Sequence, residues 1–123
     1  MSPAPFDVQS EELEGGIRAF TVRGELDMNT APELEQALEQ ALADEEASVM
    51  LDLSQCEFID STGIALIVRT WQRLDRNGGN GGKGHLVICC INHQVRRLLN
   101  ITGVESSISM HEEREAALAE LRG

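Results

Sequence analysis

An α/β domain, with a mixed and mostly parallel sheet of about four to five strands packed by about four helices, is the fold class that the sequence predicts. Three observations predict it. Short apolar runs rich in Val, Ile and Leu alternate with segments whose apolar residues step by three and four. A helical segment separates each central run from the next, the order of a βαβ unit. At 123 residues the chain suits one core that hides roughly two thirds of the unfolded surface, so residues 1–123 are read as a single domain.

The first element is a hairpin. Ile17 to Arg23 mixes β-branched, aromatic and charged residues as a half-buried strand does, and Phe6-Asp7-Val8 can pair with it across Gly15-Gly16. Residues 1–5 read as a flexible tail. Thr30-Ala31-Pro32-Glu33 then combines a capping threonine, a proline in the first turn and a glutamate three residues after the cap, which starts a helix. Leu34, Ala37, Leu38, Ala41 and Leu42 form its apolar stripe, and Glu33, Glu35, Gln36, Glu39 and Gln40 its solvated face.

Val49-Met50-Leu51-Asp52-Leu53 is nearly all apolar, as in a strand covered on both faces. A loop is expected from Ser54 to Asp60. Ile64, Ile67, Val68, Trp71 and Leu74 then recur at helical spacing, with Trp71 on the inward stripe. That helix is expected to fray at Asn77-Gly78-Gly79, and residues 77–84 to form a flexible glycine-rich connection. His85 to Cys90 is another strand, Gln94 to Leu99 a short helix, Ser107 to Met110 a last strand and Glu112 to Leu121 a closing helix.

The charge balance excludes several functions. Twenty-one acidic against ten basic side chains leave a net charge of −11, which repels nucleic acid and anionic membranes alike. The longest apolar run, Ile64 to Val68, is far too short to span a bilayer. Nothing at the N-terminus resembles a secretory signal, which points to the cytoplasm. Cys56, Cys89 and Cys90 lack the spacing of a disulfide framework or zinc site, so they read as reduced packing residues. His85, His93 and His111 are isolated, and no metal or cofactor is expected.

Enzyme signatures also fail. Gly79-Asn80-Gly81-Gly82-Lys83-Gly84 spells a dinucleotide motif, but it follows a helix and precedes a strand, the reverse of what a pyrophosphate site needs. Ser61 lacks the glycine elbow of a hydrolase, and Thr62 interrupts the pattern of an aspartic protease. What remains is Asp60-Ser61-Thr62-Gly63 at the start of a helix, where hydroxyls meet free backbone N–H groups. On position alone, Ser61 reads as a helix cap.

Three segments together resemble the STAS family and, within it, the anti-sigma factor antagonists. They are Gly24-Glu25-Leu26-Asp27; Leu51-Asp52-Leu53 with Phe58-Ile59-Asp60-Ser61-Thr62-Gly63; and Asn92 to Leu99. The resemblance implies that Ser61 accepts phosphate from a serine kinase that is also the anti-sigma factor. It implies a docking face made of Glu25, Asp27, Met28, Asn29, Asp60, Ser61, Thr62 and Gly63, whose carboxylates meet basic groups of the partner. A PP2C-type phosphatase would reset the switch, and a monomer is expected. The alternative is a free-standing STAS scaffold or transport-complex subunit in which Ser61 is only a cap.

Overall fold

The computed structural model describes residues 5–43, 48–78, 85–103 and 108–122. The expected tail, apart from Pro5, and positions 79–84 of the glycine-rich connection lie outside these residues. Asn77 and Gly78, placed in that connection by the sequence, are the last two residues of a helix.

Among the described residues, five strands form one sheet in the order β1-β2-β3-β4-β5, with β1 antiparallel to β2 and all other pairs parallel. They span Asp7–Leu13 (β1), Ile17–Leu26 (β2), Ser48–Ile59 (β3), His85–Cys89 (β4) and Ser109–His111 (β5). Four helices among the described residues accompany them: Ala31–Leu42 (α1), Ser61–Gly78 (α2), His93–Thr102 (α3) and Arg114–Arg122 (α4). The sheet and helices match the expected class.

Alternation along the strands sorts the core into two layers. Phe20, Val22, Val49, Leu51, Leu53, Leu86 and Ile88 face one way, against Leu34 and Leu38 of α1, Ile67 and Leu74 of α2, and Val95 and Leu99 of α3. Trp71 packs on this cluster, as the inward stripe predicts. Ala19, Met50, Val87 and Cys89 face the other way, where α4 covers them with Ala117. Residues 48–53 are buried throughout, as expected of a central strand with both faces covered.

Several boundaries differ from those read in the sequence. The first strand is longer than Phe6-Asp7-Val8, because a charged, exposed segment is stable as an edge strand when paired on one side only. The segment expected to be a loop, Ser54 to Asp60, is instead the second half of β3 through Ile59. Gln55, Cys56, Phe58 and Ile59 pair with Arg23, Gly24, Glu25 and Leu26, across two register shifts. Gly24 lies between those shifts with φ +92°, a conformation that glycine adopts without a Cβ penalty. This bulge carries both strands onward to the site.

Thr30 precedes α1 but does not cap it with its side chain. Its hydroxyl is engaged backward, donating to the Glu25 carbonyl at 2.7 Å and accepting from the Asp27 N–H at 2.9 Å. α3 begins one residue earlier and ends later than expected, capped by the Asn92 side chain, which accepts from the Val95 N–H at 2.9 Å. The last strand starts at Ser109; Ser107, its expected first residue, lies outside the described residues.

Candidate functional site at the β3–α2 junction

The ends of β2 and β3, the loop after β2 and the start of α2 converge on Asp60. Its main-chain N–H donates to the Leu26 carbonyl at 3.1 Å, the last rung between the two strands. Its Oδ1 accepts from the Gly63 N–H at 3.0 Å, and its carbonyl accepts from the Ile64 N–H at 3.0 Å. Asp60 is therefore the N-cap of α2, and Ser61 is its first helical residue. The reading of Ser61 as the capping hydroxyl is corrected: the longer β3 moves the strand end to Ile59, so the cap falls one residue earlier.

The second oxygen of Asp60, Oδ2, accepts from the Met28 N–H at 3.2 Å. One carboxylate thus ties the α2 start to the loop after β2. Within that loop, Asp27 Oδ1 accepts from the N–H groups of Asn29 at 2.9 Å and Thr30 at 3.1 Å, closing a side-chain turn. Part of the Asp27 carboxylate therefore shapes the loop from inside. Met28 and Asn29 are left exposed at its tip, Met28 at 69%.

Gly63 sets how closely α2 approaches the sheet. A Cβ there would lie 2.8 Å from Ile59 Cγ1, 2.8 Å from Leu26 Cγ and 2.9 Å from the Leu26 carbonyl oxygen. Only glycine permits that first turn. Ser61 and Thr62 face solvent while Gly63 is buried, which leaves both hydroxyl residues on the outer side of the helix start.

Beside Ser61 runs an open groove of about 400 Å³ between α2 and α3, lined mainly by Phe58, Ser61, Ile64, Ala65, Leu98 and Ile101. Phe58 and Ile101 are 43% and 77% exposed and, with Met28, are the exposed large hydrophobic side chains among the described residues. Of the expected docking residues, Met28, Asp60 and Ser61 adjoin directly; Glu25 is in register with Phe58 on the neighbouring strand. Sequence reasoning did not single out Phe58 as a surface residue or Ile101 at all. The signal for Phe58 was the continued strand alternation past Leu53; for Ile101 it was an apolar residue at the end of a helix longer than expected.

Among the described residues, no helix is long and apolar enough to cross a membrane. The three cysteines are free thiols, Cys56 and Cys89 buried and Cys90 half-buried. Cys56 is fully buried, its Sγ donating to the Phe58 carbonyl at 3.3 Å, and burial pushes its thiol up.

An antiparallel opening hairpin, three further parallel strands, a helix layer on one face and an Asp-Ser-Thr-Gly helix start define a class of small regulatory α/β domain. The chain belongs to the STAS domain family, whose model matches residues 10–117. The family's domains of this kind are regulatory and non-catalytic. An anti-sigma-B factor antagonist from Staphylococcus epidermidis is 34% identical over 91 residues, 74% of this chain and 80% of that protein. The crystal structure of an anti-sigma factor antagonist from Mycobacterium paratuberculosis superposes with a TM-score of 0.83 at 27% identity, covering 97% of this chain and 96% of that one. The unphosphorylated form of the anti-sigma factor antagonist SpoIIAA has a TM-score of 0.78 at 19% identity, covering 95% and 97%, a likeness of fold.

Proposed function

We propose that this chain is an anti-sigma factor antagonist whose unmodified form binds an anti-sigma serine kinase and so frees a sigma factor, and which is inactivated by phosphorylation of Ser61. The observation that carries this reading is the position of Ser61: exposed, first in α2, and on the rim of an apolar groove next to the Met28 loop. A phosphate adds roughly −1.5 to −2 charges. Placed beside the Asp60 carboxylate and against apolar side chains, it makes that face costly to desolvate in a complex.

The same position protects the fold. Asp60, not Ser61, holds the helix cap, so a modified Ser61 leaves the cap bonds in place. The α2 N-terminus carries partial positive charge and tolerates the added anion. In this reading Glu25, Asp27, Met28, Asn29, Thr62 and Gly63 complete the docking face, and a PP2C-type phosphatase returns the protein to its binding form.

The test is to incubate the protein with ATP and each anti-sigma serine kinase of its source organism, and to locate phosphate by mass spectrometry. One phosphate on Ser61, lost in Ser61→Ala, is the expected result. Phosphate at another residue, or none with any such kinase, overturns the reading.

A further inference from the structure

On the sheet face opposite the groove, three potential ligands meet where β4 ends. Asp52 of β3 and Cys89 of β4 are register partners whose side chains both point toward α4. Both are buried, Asp52 at 6% exposure and Cys89 at 0%. Successive strand residues normally point to opposite faces, so Cys90 would be expected on the other side. Instead its backbone turns to φ +67°, the one positive φ at a non-glycine residue among the described residues, and its Sγ lies 2.7 Å from the Cys89 Sγ. The Cys90 N–H, donating to the His111 carbonyl at 2.8 Å, holds that turn in place. A left-handed backbone at a side chain other than glycine is strained and persists only where the surroundings impose it.

The carboxylate and the two sulfurs lie within 4.8 Å of one another. We propose that Asp52, Cys89 and Cys90 form a binding site for one thiophilic divalent cation of the zinc and cadmium class, with two sulfur ligands, one oxygen ligand and an outward position left for solvent. Two sulfurs on a tetrahedral ion at about 2.3 Å stand about 3.7 Å apart, so binding must spread the pair. Cys90 is half-buried and bounds the open side, so its χ1 can supply that movement without repacking Cys89.

Charge favours the exchange. Replacing two thiol protons by one divalent cation leaves the buried net charge unchanged, so the neighbouring Asp52–Arg114 pair, at 3.5 Å, needs no new counter-charge. Arg114 Nε, buried and without a hydrogen-bond partner, already faces the Asp52 carboxylate, so the ion has only the two thiolates to neutralise. The set excludes hard cations such as magnesium and calcium, which take oxygen ligands.

The full reduced chain, stripped of metal with a chelator, is titrated with cadmium chloride while thiolate-to-cadmium charge-transfer absorbance is followed; zinc chloride then competes. Expected are saturation at one ion per chain and displacement by zinc. Cys90→Ser, at a half-exposed position, should abolish the absorbance, as should Cys89→Ser, whereas Cys56→Ser should retain it. Asp52→Asn should weaken binding at least about tenfold. Circular dichroism of each variant separates loss of a ligand from loss of fold. Absorbance that survives in folded Cys90→Ser, or that requires Cys56, overturns the site; unchanged affinity in folded Asp52→Asn overturns the carboxylate's place in it.

Discussion

Asp60 serves two partners at once, and the consequence is a clear separation between two adjacent residues. Its Oδ1 caps α2 through the Gly63 N–H and its Oδ2 holds the Met28 N–H. Asp60→Ala removes a cap worth about 0.5–2 kcal/mol and a second bond worth about 1 kcal/mol. Ser61→Ala, at an exposed first helical position, should shift stability by no more than about 0.5 kcal/mol. Urea unfolding of both variants checks the contrast; equal losses would return the cap to Ser61. Gly63→Ala should cost about 1–3 kcal/mol despite the better helix propensity of alanine, because the new Cβ meets the rigid Leu26 carbonyl. Asp and Ser are equally good caps by residue type. Which of the two takes the role was not legible in the sequence, because it depends on where β3 ends, and that is set by pairing with β2 over a long sequence separation.

The elements that were legible are those with a strong local period. α1 and α2 were readable from their apolar stripes, and residues 49–53 from their continuous burial. The second half of β3 was hidden because Ser54, Gln55 and Glu57 are solvent-facing, and only the pairing through the Gly24 bulge makes them a strand. The cysteine and aspartate cluster was hidden for a related reason: neighbouring cysteines on a strand should diverge, and the turn at Cys90 is a tertiary outcome. α4 shows the same dependence. It is fastened to the sheet by Glu120, whose Oε2 lies 2.6 Å from His85 Nε2 and whose Oε1 lies 2.7 Å from His111 Nε2. Burial pushes the Glu120 carboxyl up, but the hydrogen bonds from His85, His111 and Ser109 outweigh it and hold the group below its usual 4.5. A folded-state value below the unfolded one stabilises the protein above the unfolded value, and the contribution fades as pH falls through the folded one. The stability advantage of the wild type over Glu120→Gln should therefore be full at neutral pH and should disappear below the ordinary carboxylate range. Urea unfolding at a series of acidic pH values measures it; an advantage that grows toward low pH would contradict the clamp.

At the scale of the molecule, an acidic chain with an apolar groove beside Ser61 predicts two separable contributions to the proposed kinase complex. With a net charge of −11, the chain attracts a basic partner surface over a long range, and that attraction is screened by salt. Phe58 and Ile101, which flank the groove beside Ser61, contribute desolvated apolar contact, which added salt leaves in place. Phe58→Ala and Ile101→Ala should each lower kinase affinity about tenfold or more, a loss of about 1.4 kcal/mol, and the loss should be the same at low and high ionic strength. Ser61→Asp should also weaken binding, but with a penalty that grows as salt is raised, because the cost of desolvating the new carboxylate against the groove stays while its attraction to a basic partner surface is screened. Ile101→Ala, at an exposed position, should unfold at nearly the wild-type urea midpoint, and the midpoints of the other two variants separate a lost contact from a lost fold. Calorimetric titration of the kinase at two salt concentrations distinguishes the two patterns. Salt-sensitive losses in the Phe58 and Ile101 variants would mean that the groove is not desolvated in the complex, and that the partner reads this face by charge alone.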